Sequence, residues 1–246
     1  MPFYKKKEYF KESYNSVKKQ SYKNLEIIIV YDDDNPEDLS FLQDQIINDK
    51  KSKIIQNHKN LGVSHSRNIG IDNSKGQIIA FLDCDDVWDL NKLKIQLEFM
   101  ESNNIKFSHT SYKLIDESGK TYGINKASKE ISYKDLINSC DIGLSSVMID
   151  KSLLSIHKFK NITTKEDYTL WLELARNNVK IYGIEIPLMY WRKTKNSLSS
   201  NIYTKFLNAF KVYHIYEKKN LFKSIFLVIN LGFNYLKKTI KQKTFI

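Results

Sequence analysis

The amino-acid sequence predicts an α/β fold built on a mostly parallel central sheet flanked by helices. Three observations predict it. Short apolar runs that read as buried strands alternate with stretches carrying apolar residues at helical spacing. The 8 glycines and 3 prolines in 246 residues are too few for the many tight turns of an all-β chain. Hydrophobic residues make up 41% of the chain, enough to bury a core and to exclude wholesale disorder.

Along the chain, Tyr9, Phe10, Tyr14 and Val17 recur at helical spacing. Glu26 to Tyr31 reads as a buried strand, Lys53 to Gln56 as a second and Gln77 to Leu82 as a third. Ser64 to Asn73, between the last two, reads as a helix. Leu90, Leu93, Leu97 and Met100 mark another, with Asp89 as its expected N-cap. Lys106 to Tyr112 is a further strand, and the polar stretch Gly119 to Lys134 a loop or short hairpin. Asp167 to Asn177 carries Leu170, Trp171 and Leu174 on one helical face. Val179 to Ile184 and Leu188 to Trp191 read as two short strands. No repeat or low-complexity linker divides the chain. The expectation is one compact domain over residues 1–200 and a basic amphipathic helical appendage over 201–246.

The formal net charge is +11, and no acidic residue follows Glu217. A basic balance admits nucleic acid, anionic lipid or phosphorylated small molecules as partners. Cys84 and Cys140 lack the spacing of a zinc site or disulfide framework, which suits a reducing compartment. The start is polar and lysine-rich, without a secretory signal, and the longest apolar stretch, Ser224 to Phe233, is too short to span a bilayer. These features predict a cytoplasmic protein, one able to sit on the inner face of the cytoplasmic membrane.

The chemistry concentrates in four segments. Ile78 to Leu82 drives an apolar strand into Asp83, Asp85 and Asp86. Carboxylates there would sit at the rim of a sheet, where open α/β folds bind ligands. Clustered like charges repel and are costly to desolvate. A divalent cation resolves that cost, and oxygen ligands suit Mg²⁺ or Mn²⁺ held together with substrate phosphates. A solvated acidic turn is the other reading. Asp32, Asp33 and Asp34 end another buried strand, where a carboxylate can accept from a base or ribose, or form an Asx-rich turn. Gly62 permits a tight loop into a helix, one turn into which Arg67 can bind an anionic group or pair with a neighbouring acid. Glu166 and Asp167 open a helix whose dipole favours them, and one of them can act as a general base.

Taken together, these segments resemble glycosyltransferase family 2, which has the GT-A fold. The matching features are Asn60-Leu61-Gly62, Arg67-Asn68-Ile69-Gly70, Lys75-Gly76, Phe81-Leu82-Asp83-Cys84-Asp85-Asp86 and Trp88. Tyr22 to Val30 resembles the family's second strand and Glu166 to Leu172 its acceptor-side acidic motif, so the likeness covers residues 1–200. It implies a Rossmann-like sheet, a nucleotide-sugar donor (commonly a UDP-sugar) and an inverting displacement. The acceptor would be a glycan or lipid-linked saccharide of cell-surface polysaccharide synthesis. By position, Asp32 matches the acidic residue that contacts the base, and Arg67 its partner on the base or phosphate side. Asp83 and Asp85 match the Asp-x-Asp pair. The resemblance implies Asp85 as a direct ligand of Mn²⁺ or Mg²⁺, and Asp83 in the ribose and metal environment. It also implies Asp86 near donor sugar hydroxyls and Asp167 as the catalytic base.

Two departures stand out. Family members begin with an apolar strand leading into a Pro-x-Tyr-like turn. Here Met1-Pro2-Phe3-Tyr4 looks like the turn and the first strand is missing, which predicts an unstable or weakly active form. Relatives also place a histidine after a Tyr-x-Arg element, where this chain has Lys193, Thr194 and Lys195. In the tail, Phe222, Phe226, Ile229, Phe233, Leu236 and Ile240 share a helical face, with Lys219, Lys223, Lys237 and Lys241 to one side. That face suits either anionic lipid or packing on the catalytic domain. Rival readings are a haloacid-dehalogenase-type phosphatase and a non-enzymatic binder of nucleic acid or membrane. The first needs a later lysine and a downstream acidic pair, for which the chain has no convincing candidate. The second leaves the acidic rims unexplained, and no nucleic-acid partner is expected.

Overall fold

The computed structural model describes residues 1–194 and 202–243. The expected boundary at residue 200, Lys195, and the side chains of Ile240 and Lys241 lie outside the described residues. The chain opens with β1 (Pro2–Phe3), α1 (Lys7–Lys18), β2 (Ile27–Tyr31), α2 (Pro36–Ile46), β3 (Ser52–Gln56) and α3 (Val63–Asp72). The three strands form a parallel sheet in the order β1–β2–β3, with Pro2 beside Val30 and Ile27 beside Ser52. The helices between them are the crossovers that parallel pairing requires.

A two-residue strand, β1, forms inside the segment expected as the turn, Met1-Pro2-Phe3-Tyr4. Only two residues long, β1 nevertheless pairs, because ladder bonds use main-chain groups and need no long apolar run. The Val30 amide donates to the Met1 carbonyl and the Asp32 amide to that of Phe3, both at 2.9 Å. The Phe3 ring is buried and stacks on Tyr31 at 5.7 Å.

The chain continues through β4 (Ile78–Ala80), β5 (Val87–Trp88), α4 (Lys92–Ser102), β6 (Phe107–Ile115), β7 (Thr121–Asn125) and β8 (Glu130–Ile131). Next come α5 (Tyr133–Leu136), β9 (Met148–Asp150), α6 (Lys151–Ile156), α7 (Glu166–Arg176) and β10 (Ile181–Arg192). Their strands form a second, seven-stranded sheet along β4–β9–β6–β10–β5, with β7 added to β6 and β8 to β10. Within it β6 and β10 run parallel and their other neighbours antiparallel. The stretch Gly119 to Lys134, expected as a loop or short hairpin, holds two short strands that do not pair with each other: β7 pairs with β6 and β8 with β10. The two short strands expected over 179–191 are one strand, whose register shifts around Pro187, a residue with no amide to give the ladder. Asp89 is not the N-cap of α4. Asn91 holds that position, and Asp89 Oδ1 accepts from its amide at 3.0 Å.

Two apolar clusters hold these layers. One gathers Phe3, Phe10, Tyr14, Ile29, Leu82 and Trp88 around the parallel sheet. The other gathers Phe107, Ile149 and Leu170 around the fully buried Trp171 of α7. After β10 come α8 (Ile202–Lys211), a π-turn over Val212–Tyr216 and α9 (Leu221–Lys243). Ala209, Tyr213, Leu227, Val228 and Leu231 of this segment belong to the Trp171 cluster. The segment expected to be an appendage therefore shares the core. It does so through a face of α9 other than the phenylalanine stripe that its sequence pattern marks.

Candidate active site

The loop from Phe81 to Asp86 leaves β4 with its apolar residues inward and Asp83 and Asp85 partly exposed. Phe81 and Leu82 are buried, and Cys84 Sγ reaches the Pro2 carbonyl at 3.1 Å, tying the loop to β1. Asp83 and Asp85 stay accessible, with side chains 34% and 19% exposed. Asp86, expected near donor sugar hydroxyls, is instead buried, with both oxygens used by the protein itself. Its Oδ2 accepts from Ser145 Oγ at 2.6 Å and its Oδ1 from the Arg192 amide at 2.9 Å. Burial, then the charges of Asp85 and Asp83, push the Asp86 carboxyl well above the ordinary aspartate range.

A buried arginine gathers the site. Arg67, on α3, donates through Nη2 to Asp83 Oδ1 at 2.8 Å and through Nη1 to Glu166. Burial disfavours its charge, but the two carboxylates outweigh that and keep the guanidinium protonated. One side chain thus ties the acidic loop after β4 to the first turn of α7, which carries Asp167. Glu166 is pushed up to about 6 by burial, with Arg67 opposing. Of the two readings of Arg67 left open by the sequence, the acid-paired one describes its contacts.

Asp32 sits at the end of β2 and is buried. The Leu61 and Gly62 amides donate to its two oxygens at 2.8 Å each, and Asn57 Nδ2 donates to Oδ1 at 2.7 Å. Asp32 thereby holds the turn that starts α3, where Gly62 adopts φ 86° and ψ 161°, a conformation nearly restricted to glycine. Three donors occupy three of roughly four lone-pair sites, leaving one acceptor direction.

Asp167 is half-buried in the first turn of α7, next to Lys165, which adopts the left-handed conformation at φ 69°. Burial raises the Asp167 carboxyl above the usual aspartate range, with Arg67, the Tyr168 amide and Lys165 pulling it back. Asp85 is raised by burial and then by Asp83, with Lys6 opposing. Lys6 lies just past β1 and places Nζ 2.8 Å from Asp85 Oδ2 and 3.0 Å from Thr194 Oγ1. Thr194 thus stands beside the acidic loop.

The donor set fits a divalent cation held jointly with substrate. Asp83, Asp85, Glu166 and Asp167 outnumber the cations paired among them, Arg67 and Lys6. Among the described residues, no three His, Cys, Asp or Glu side chains converge into a ready-made metal cage. One or two carboxylates completed by phosphate oxygens is how Mg²⁺-type ions bind in nucleotide sites.

Three contributors were not assigned a role from the sequence. They are Lys6, Ser145 and the side chain of Arg192. Ser145 Oγ accepts from the Asp83 amide at 3.1 Å while donating to Asp86, and the Trp88 indole donates to its carbonyl at 2.8 Å. Arg192 donates from Nε to the Asp85 carbonyl at 3.0 Å and from Nη2 to Glu12 at 2.6 Å. A Tyr-x-Arg element was the available signal for Arg192. Lys6 and Ser145 carry none.

The family model described as Glycosyl transferase family 2 matches residues 1–162. The chain is 31% identical over 246 residues to WfgD of Escherichia coli, spanning 100% of this chain and 94% of that protein. WfgD is named as a UDP-Glc:alpha-D-GlcNAc-diphosphoundecaprenol beta-1,3-glucosyltransferase. Among solved structures, S. aureus TarS 1-349 in complex with UDP-GlcNAc superposes with a TM-score of 0.69 at 20% identity, over 86% of this chain and 65% of that one. The mannosyltransferase PcManGT from Pyrobaculum calidifontis, in complex with GDP-Man and Mn²⁺, gives a TM-score of 0.69 at 12% identity, over 93% of this chain and 67% of that one. At such identities the structural likeness shows the fold alone, and that fold is GT-A.

Proposed function

The chain belongs to glycosyltransferase family 2 and is a glycosyltransferase; on that premise we propose that it moves a sugar from a UDP-sugar, with inversion, to a hydroxyl of a lipid-linked saccharide in cell-surface polysaccharide synthesis. Family membership sets aside the phosphatase and the non-enzymatic binder. The observation that carries the reading is the bridge from Asp83 through Arg67 to Glu166, which joins the acidic rim to the turn bearing Asp167. The donor and acceptor classes rest on the name of WfgD, a relative similar over the whole chain.

In this reading Asp85 and Asp83 would hold Mn²⁺ or Mg²⁺, which when bound offsets diphosphate charge as the leaving group departs. Asp32 keeps one acceptor direction for a base N–H. Arg67 stays cationic and fixes Asp83 toward the ribose side. Asp167 takes the proton of the acceptor hydroxyl as that oxygen attacks the anomeric carbon. The bond from that carbon to the diphosphate oxygen breaks on the opposite face. A carboxyl raised by burial is a stronger base than an exposed aspartate. Asp86, Ser145 and Arg192 hold the loop in place. Cytoplasmic placement follows if the donor is cytoplasmic, and it belongs to the proposal.

The test is release of UDP from a panel of UDP-sugars with lipid-linked saccharide acceptors, with Mn²⁺ and with a chelator. Asp85→Ala should abolish turnover. Asp167→Asn should cut transfer by roughly a hundredfold or more while UDP affinity stays within about threefold. Undiminished transfer by Asp167→Asn would remove it as the base.

A further inference from the structure

Helix α9 has two apolar faces, and the core uses one. Leu227, Val228 and Leu231 are buried in the Trp171 cluster, and Ser224 beside them is buried too. Phe222, Phe226, Ile229, Phe233 and Leu236, spaced 4, 3, 4 and 3 residues apart, form a second stripe whose members are each more than half exposed, Phe222 at 84%. Tyr203 and Phe206 of α8, which packs on α9, are also exposed. A continuous apolar stripe of this size on a monomer surface marks an interaction site.

The charges identify the partner. Lys223 Nζ lies 5.2 Å from the centroid of the Phe226 ring and Lys237 Nζ 4.5 Å from that of Phe233, so the cations border the stripe. No acidic residue follows Glu217, and Glu217 itself is buried and paired with Arg176. A second copy of this chain docking by the same stripe would set lysine against lysine. An anionic headgroup layer meets both the lysines and the phenylalanines, as on helices that lie in a membrane interface. No helix among the described residues is long and apolar enough to cross a membrane, so α9 would lie in the plane of the surface.

We propose that the outer face of α9 binds the headgroup plane of an anionic bilayer, its phenylalanines inserted between lipids and its lysines on their phosphates. The same helix also grips the segment that follows α5. Asn230 Nδ2 donates to Asn138 Oδ1 at 2.7 Å, Asn234 Nδ2 to the Asn138 carbonyl at 2.9 Å, and Lys238 Nζ pairs with Asp141 at 2.5 Å. The segment it grips is joined to α7 by Tyr168, whose hydroxyl donates to the Leu136 carbonyl at 2.6 Å. Asp167 is the residue before Tyr168. The surface proposal stands on α9 alone and does not require the donor chemistry to be right.

Flotation of the full chain with vesicles tests it, comparing phosphatidylglycerol–phosphatidylcholine mixtures with phosphatidylcholine alone. The chain should float with the anionic vesicles, and more weakly as salt rises. The triple variant Phe222→Ser, Phe226→Ser, Phe233→Ser should lose at least about tenfold in partitioning. Lys223→Glu with Lys237→Glu should lose binding to the anionic vesicles selectively. Circular dichroism melts of the variants verify that they fold, as expected for changes on an exposed face. Three outcomes overturn the proposal. They are no flotation of the native chain, equal flotation of the triple variant, or a dimer in light scattering that the triple variant converts to monomer. UDP-sugar turnover of the triple variant on a soluble acceptor is read separately, so a failed surface and a failed transferase reading look different.

Discussion

At the scale of single residues, Lys6 makes a consequential contact. Its ammonium sits on the carboxylate expected to ligate the cation, 2.8 Å from Asp85 Oδ2. A metal arriving without nucleotide must displace it, whereas a metal arriving with a diphosphate offers Lys6 phosphate oxygens in exchange. A partly exposed ion pair is worth up to about 1 kcal/mol, or about fivefold in affinity. Lys6→Met should therefore tighten nucleotide-free Mn²⁺ binding by a few-fold in calorimetric titration, and unchanged or weaker binding would refute the competition. Lys92 is a second instance. It is fully buried over the Trp88 ring, with Nζ 2.9 Å from Gln96 Oε1, and burial lowers its pKa to about 7. The unfolded chain, with an ordinary lysine near 10.4, binds more protons than the fold between those values, so this residue makes stability rise with pH there, by up to about 1.4 kcal/mol per pH unit. Below pH 7 both states are protonated and the full penalty remains. In urea unfolding between pH 7 and 9, Lys92→Met should remove that part of the slope. Parallel profiles for the two proteins would show that Lys92 is not the source.

At the scale of elements, the start of α7 concentrates strain and chemistry. Lys165 adopts φ 69° in front of Glu166 and Asp167, a conformation that costs a side-chain-bearing residue about 1 kcal/mol. The lysine also lowers the Asp167 carboxyl against the effect of burial. Lys165→Gly should relieve the strain and let the base rise. Tm should increase slightly, while, with Asp167 as the proposed base, the acidic limb of kcat/KM should move to higher pH. A limb that stays in place would mean that another group titrates there. The elements themselves were largely legible, since apolar runs and helical spacing are local signals. Less legible were β1 and the union of two expected strands into β10. Two residues have no periodicity, and a strand that continues through Pro187 depends on its neighbours rather than on its own sequence.

At the scale of the whole molecule, α8 and α9 should unfold together with the two sheets. Leu227 shares a cluster with Trp171, so Leu227→Ala should cost about 2–5 kcal/mol and lower one transition seen alike by tryptophan fluorescence and far-UV circular dichroism. Two separate transitions would make the tail an independent unit. By itself the sequence determined the family, the alternation of strands and helices, and the acidic residues at the ends of β2 and β4, because motifs and periodicities lie within a few residues of one another. Tertiary structure alone decided what those residues touch. Lys6 meets Thr194 across 188 positions, Arg192 meets Asp86 across 106, and Arg67 meets Glu166 across 99. It also decided which stripe of α9 enters the core, since periodicity marks every apolar face but only the surfaces arriving from elsewhere in the chain determine which one is covered.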